Sequence, residues 1–578
     1  MNADTIQAST RRGRAAFGAA LLLLPLALAC APAAGPAAAP GTPGQQQPAA
    51  ATTAAKSTRQ GGVLKMATSD APEHLSPLTA TARDAQITLW STFYDPLLNY
   101  DFLSVDDFRA DFPLKPWLVE KWELQGSDTY IFHLRKGVKF HDGKPMTAED
   151  VIWSLDYSRD PKNAFDAGSV LKVVSKVEKI DDSTIKLVLG SVSPTFLVDI
   201  ASTTSSNAVL VYPKHVFDEG GDRALQTKGI GTGPYKVGKF EPTGSTIEER
   251  FLDWWGKDDE GNQLPYLDAI QFTHNMDRNA QEAAFAAGQL DVYQFASKAP
   301  YDAFVKAYPK AVTKIFHSNH SPGVQFNLTH KPLDDIRVRQ AINLSIDRDE
   351  INETVLLGQG LLGLPVVPGI KKGWGLSPEE MRKLPGYRTP KQPEIDAAKA
   401  LLKEAGYPDG LKIDLVYPKT YSTAILAEFL PTQLKKVGIT LELKGVDTAT
   451  HAKLGREGNF DTFWYLYGNP KPLVRLEPYF YSKGAFAKVA GVNNPELDKV
   501  IENLRVSLDT AAQKKLVFDA QKIILDQALI VTTLDPAVYL ITQPWVHDYK
   551  PSYSIQADMT VSASFGWIEK ALLPAGRR

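Results

Sequence analysis

Between Lys115 and Leu155 the spacing of apolar residues changes from a strand period to a helix period, and no other stretch constrains the fold as tightly. Trp122 and Leu124 alternate with Glu123, and Tyr130, Phe132 and Leu134 alternate with Ile131 and His133, around Gly126-Ser127-Asp128. Two antiparallel strands joined by a tight turn carry this pattern. Phe140-His141-Asp142-Gly143 closes a second turn. Thr147 then stands ahead of Glu149-Asp150 and the apolar set Val151, Ile152 and Leu155, a helix start with acidic first-turn residues. The unit is compact and contains no catalytic geometry of its own.

The same block resembles the signature of the family 5 extracellular solute-binding proteins, the peptide-, nickel- and oligosaccharide-binding components of ABC importers. Pro116, Leu118-Val119-Glu120, Trp122, Leu134-Arg135, Lys136-Gly137, Phe140 to Gly143, Thr147 and Glu149-Asp150-Val151 carry the resemblance. It implies an α/β fold, periplasmic binding protein type II-like, with two α/β lobes, an interlobe cleft and an extra subdomain. It also implies a monomer that binds a solute and performs no chemistry on it, with no cofactor.

At 578 residues the chain exceeds what one core can serve. A net charge of -2 gives no case for nucleic-acid binding. The single cysteine, Cys30, excludes an intramolecular disulfide framework and a multi-cysteine metal site.

Residues 1–29 read as an export signal. Arg11, Arg12 and Arg14 precede 15 uncharged, mostly apolar residues from Ala15 to Ala29, short of the ~20 that span a bilayer. Ala27-Leu28-Ala29-Cys30 resembles a lipobox, which makes Cys30 the lipidated first residue of the mature protein. Ala31 to Ala55 holds no charged residue and consists of alanine, proline, glycine, threonine and glutamine. Such a segment buries too little apolar surface to offset its ordering entropy, so residues 30–60 read as a tether. Several acyl chains on one cysteine exceed the marginal hold of a single chain. The expected location is extracytoplasmic, anchored to the cell membrane.

Lobe I is expected from residues 61–100, 213–322 and 546–578, the extra subdomain (lobe II) from 101–212, and lobe III from 323–545. Gly229 to Tyr235 matches a glycine-rich turn of the family; no Gly-Lys-Ser/Thr ending follows, so it is read as structural rather than phosphate-cradling. Leu333 to Leu357 reads as an amphipathic helical region whose arginines, Arg337, Arg339 and Arg348, sit among carboxylates and belong to a solvated face with local ion pairs rather than to a nucleic-acid site. None of the ten histidines stands in a His-Glu-x-x-His arrangement, and no Gly-x-Ser-x-Gly elbow is present, so no enzyme reading has support.

In relatives the residues after the opening-loop proline face the ligand, which nominates Thr81 and Arg83. Residues 460–473 correspond to a cleft-lining segment in which many peptide binders place an aspartate that pairs with the peptide ammonium. Here Leu466 falls at that position. Burying an ammonium without a partner costs several kcal/mol, so the usual route to a free N-terminus lacks its partner charge here. Trp464, Tyr465 and Tyr467 offer aromatic surface, Asn469 an amide, and Asp535 a charge near another expected cleft edge. The ligand expected is an oligopeptide, with an oligosaccharide as the alternative within the family. The partners expected are permease subunits and their ATPases. From other classes, an extracellular hydrolase and a non-transporting sensor or chaperone-like binder are the rivals.

Overall fold

The strands Val119–Gln125 and Thr129–Leu134 pair antiparallel, with Trp122 opposite Phe132 and Leu124 opposite Tyr130. Gly126 turns the hairpin at φ +66°. Thr147 caps the helix Ala148–Arg159 in a reciprocal box with Asp150, which satisfies two otherwise orphaned N–H groups. This is the computed structural model of the chain; it describes residues 59–78, 84–101, 113–163, 165, 167–201, 209–295, 297–317, 321–366, 374–419, 421, 423–467, 472–549 and 559–577. The signal, Cys30 and most of the tether lie outside these residues, as do Thr81, Arg83, His320 and Asn469.

The hairpin belongs to a four-stranded sheet completed by Thr184–Leu189 and Val174–Asp181. Leu118, Phe132, Phe140, Val151, Ile185 and Leu187 form the centre of its core. A second four-stranded sheet runs Val63–Ala67, Ala269–Thr273, Ser245–Arg250, Tyr235–Phe240. A three-stranded sheet places Ala537–Thr542 between Val292–Phe295 and Val312–His317. Counting the sheets that contain Val63–Ala67 and Ala537–Thr542 as the first body and the hairpin sheet as the second, the third body holds the five-stranded sheet Ile439–Val446, Leu411–Pro418, Thr462–Tyr467, Ser321–Phe326, Ile530–Thr532. Its first three strands are parallel and the last two pairings antiparallel. Alternating strands and helices with one mixed sheet make this an α/β body.

The glycine-rich turn is structural for a reason the sequence did not state. A Cβ on Gly231 would lie 2.0 Å from the Phe93 carbonyl oxygen, and one on Gly233 would lie 2.2 Å from that of Thr92. Close approach, not left-handed backbone, demands those two glycines; only Gly229 in the turn has φ in the left-handed region, at +55°. His141 packs edge-on to Phe93 and Phe251, accepts from the Gly231 N–H at 3.2 Å and meets the Gly233 carbonyl at 3.0 Å. Burial pulls its imidazole down to about 4, so it is a neutral packing group.

The arginine-rich region corrects the sequence reading of its charges. It is two helices, Ile336–Ser345 and Arg348–Thr354, separated where Asp347 caps the second by accepting from the Asp349 and Glu350 N–H groups. Two of its arginines are buried rather than solvated. Arg339 donates to the carbonyls of Leu333, Ala528 and Gln527. Arg348, 2% exposed, donates to the Thr532 and Gly386 carbonyls and to Asn343, and lies 3.9 Å above the Tyr387 ring. Only Arg337 makes the expected local pair, with Asp335.

Ala537–Thr542, within the stretch expected in lobe III, pairs with Val312–His317, within the stretch expected in lobe I. Two chain segments therefore cross side by side. His317 is opposite Ala537, and a few residues on Gly323 is opposite Thr532. Thr533 joins them, donating to the Pro322 carbonyl from its N–H and its hydroxyl at 2.8 Å each.

Candidate functional site

Strand Thr462–Tyr467 is antiparallel to Ser321–Phe326, and its period of two sends successive rings to opposite faces. Trp464 goes inward. Its side chain is 0% exposed within the core of the third body, and its indole N–H donates to Thr423 at 3.2 Å. Tyr465 faces the other way, half-buried, beside Tyr479 of the helix Pro472–Phe480, with ring centroids 4.7 Å apart. Their hydroxyls are in hydrogen-bond contact. Phe486 closes the group, 5.2 Å from Tyr479 and 6.1 Å from Tyr465.

Arg475 stands over both tyrosines, 5.7 Å and 5.9 Å from the ring centres, and donates to the Tyr465 hydroxyl at 3.4 Å. It is one helical turn before Tyr479, so residues i and i+4 share a face. Burial, with Tyr465 beside it, raises the Tyr479 phenol well above the ordinary range, which keeps its proton available for donation. Sequence reasoning missed Arg475, Tyr479 and Phe486. The only signal for them was the aromatic and basic content of the segment that follows Asn469.

Asp535 is fully buried, in the short strand Leu534–Asp535 that pairs with Leu361, immediately before the chain crosses back. Asp461 begins the strand rather than ending it. It meets His330 at 3.2 Å, and its N–H donates to Asp414, far along the strand from Tyr465. The Tyr467 backbone is opposite Ser321. The described structure thus brings Tyr465 and the strand end at Tyr467 onto one element, sends Trp464 into the core, and puts Asp535 at the crossing. Thr81, Arg83, Asn469 and Cys30 lie outside the described residues.

On the other side of helix Pro472–Phe480, a crevice of about 530 Å³ separates the third body from the body that carries the hairpin. Val173, Ser193 and Thr195 line one wall, and Leu473, Val474 and Glu477 the other. Glu477 is held by Arg505 at 2.7 Å. The wall is mixed, with apolar faces and hydroxyls, as suits a ligand that carries both. Among the described residues no group of three or more histidine, cysteine or carboxylate side chains could hold a metal ion.

Several α/β sheets joined by paired crossing strands, with a crevice lined by Val173, Thr195, Leu473 and Glu477, are the architecture of the periplasmic binding proteins. Residues 113–486 match the family model for bacterial extracellular solute-binding proteins, family 5 Middle, and the chain belongs to that family. These proteins are the substrate-binding components of ABC importers. The chain is 27% identical over 371 residues to the dipeptide-binding protein of Escherichia coli (strain K12), a match that spans 60% of this chain and 66% of that one, just under two thirds of its length. It is 28% identical to the glutathione-binding protein GsiB of Pectobacterium atrosepticum, covering 77% of this chain and 87% of the relative. The fold matches that of the DppA periplasmic binding protein from Helicobacter pylori in complex with the peptide STSA, with a TM-score of 0.72 at 20% identity, over 89% of this chain and 99% of that one.

Proposed function

We propose that the chain is a lipid-anchored receptor that binds an oligopeptide in the gap between its lobes and hands it to an ABC permease. The observation that carries the peptide reading is the wall formed by Tyr465, Tyr479 and Phe486 under Arg475. Rings of this kind pack peptide side chains, and tyrosine hydroxyls bond the backbone. Relatives named for a dipeptide and for glutathione, both peptidic, support it.

Leu466 stands where a carboxylate would grip a terminal ammonium, and the charge against the neighbouring Tyr465 ring is Arg475, a cation. The ligand's negative end faces this wall, because a guanidinium binds a carboxylate with charge-assisted hydrogen bonds and repels an ammonium. Lobe I is residues 61–100, 213–322 and the chain from Ala537 onward, lobe II is 101–212, and the crossing strands are the pivot. Ligand contacts made better in the closed arrangement than in the open one drive closure. Thr81, Arg83, Tyr467, Asn469 and Asp535 are further proposed contacts, and Cys30 is the proposed acylation site. The receptor acts as a monomer at the outer side of the cell membrane.

Calorimetric titration with matched peptides tests the reading. Acetylating the N-terminus leaves the affinity within about two-fold, whereas amidating the C-terminus weakens it about ten-fold, the equivalent of 1.4 kcal/mol. Heat signals from oligosaccharides alone would replace the peptide reading with the sugar reading.

A further inference from the structure

The first body carries an apolar slot of about 290 Å³ that no part of the binding site uses. Phe285, Phe304, Tyr308, Pro309, Pro544 and Trp545 line it. Phe304 and Tyr308 stack at 4.4 Å, and Tyr308 is nonetheless 43% exposed. Beside it the edge strand Val312–His317 leaves Ile315 44% exposed and Val312 52% exposed. Ile315 lies on the sheet face that carries Tyr539 and packs toward the helix before Tyr308, whereas Val312, three residues away, faces the other side; Tyr308 and Ile315 therefore make the exposed apolar patch.

The stretch that carries Tyr308 and Ile315 is mainly basic. From Lys298 to Ile315 there are four lysines and one aspartate, a net charge of +3, and that aspartate, Asp302, is already paired with Lys298. Lys306 and Lys310, both exposed, remain flanking Tyr308. Aromatic and aliphatic side chains ringed by lysines with flexible stems are suited to a membrane interface, where the rings sit at headgroup level and the ammonium groups meet anionic phosphates.

The slot also lies where the described chain begins. Trp545 in its wall donates to the buried carboxylate of Asp291 at 2.6 Å. Arg577 holds the same carboxylate at 2.6 Å and 2.8 Å, and its guanidinium reaches the Val63 carbonyl at 3.3 Å. Arg577 thus links the first strand to the carboxylate that Trp545 also binds. If Cys30 is acylated, the 29 residues from there to Arg59 span at most roughly 100 Å. A tether of that reach keeps the patch at high effective concentration near the bilayer without dictating which face turns toward it.

We propose that this patch docks the first body onto the surface of an anionic phospholipid bilayer, with Tyr308 and Ile315 at the interface and Lys306 and Lys310 on the headgroups. The proposal builds on the lipid-anchor reading but can be tested apart from it. The full chain carrying Cys30→Ser, which no acyl chain can modify, takes a polarity-sensitive fluorophore at Thr313→Cys, and in a control at Lys412→Cys, an exposed site on the third body. Vesicles contain phosphatidylglycerol and nitroxide-labelled lipid.

The expected result is a blue shift and several-fold stronger quenching at 313 than at 412. The difference disappears with pure phosphatidylcholine, in about 0.5 M salt, or with Lys306→Glu/Lys310→Glu. Equal signals at both sites, an effect indifferent to lipid charge, or a shift at 313 that needs a co-reconstituted permease would each overturn it, the last by assigning the patch to a protein partner. Flotation of the wild-type chain with cell membranes tests the anchor separately, so either idea can fail alone.

Discussion

Thr533 grips the carbonyl of Pro322 with two donors, its backbone N–H and its hydroxyl, each at 2.8 Å, at the point where the two crossing segments pass between sheets. Both residues belong to the crossing itself, so the bonds are expected to survive the proposed closure. Thr533→Val keeps the volume and loses the hydroxyl bond. Urea unfolding is expected to show a loss of about 1 kcal/mol, while peptide affinity stays within about two-fold. A ten-fold fall in affinity would show that the bond is remade on closure.

Asp95 gives a pH signature. It is fully buried and accepts from the indoles of Trp117, Trp255 and Trp254 at 2.8, 3.1 and 3.4 Å. Burial pushes its carboxyl up to about 6, and the three indoles only partly offset that. A raised carboxyl binds more protons folded than unfolded, so stability falls as pH rises from about 4 to about 6, by about 3 kcal/mol at most. Asp95→Asn removes that slope. Denaturant midpoints measured across the window for both proteins check it, and parallel profiles would refute it.

Arg475 and the ligand's negative end should be coupled. Arg475→Gln is expected to weaken binding of a peptide with a free C-terminus about ten-fold and to leave the amidated peptide unchanged. Equal losses for both peptides would mean that Arg475 only orders the Tyr465 and Tyr479 pair.

Arg348 is a stability determinant. Its guanidinium satisfies the Thr532 and Gly386 carbonyls in a fully buried site. Arg348→Met leaves those acceptors unpaired and is expected to cost roughly 3–5 kcal/mol, read as a fall in melting temperature. Arg337→Met, at an exposed local pair, is expected to shift it little.

The hairpin at residues 119–134, the capped helix after Thr147 and the turns at Gly126 and Gly229 were legible because the groups that decide them are neighbours in the chain. Arg339 and Arg348 were misread for the opposite reason. Their partners include Ala528 and Thr532, nearly two hundred residues away, and a charged residue with no local partner reads as solvated. The break between the two helices was likewise hidden, because Asp347 looks like one more residue of a charged face until its side chain is seen accepting from Asp349 and Glu350.

For the candidate site, alternation shows that Trp464 and Tyr465 point to opposite faces but not which face is the core. That is settled by where Thr423, Tyr479 and Phe486 are brought from elsewhere in the chain. Local spacing therefore determined the hairpin and the capped helix, and the block they form carried the resemblance to the family. Tertiary structure alone decided which rings are buried, which arginines are structural, and where the chain crosses back, because each depends on contacts between segments whose separation in sequence carries no periodic mark.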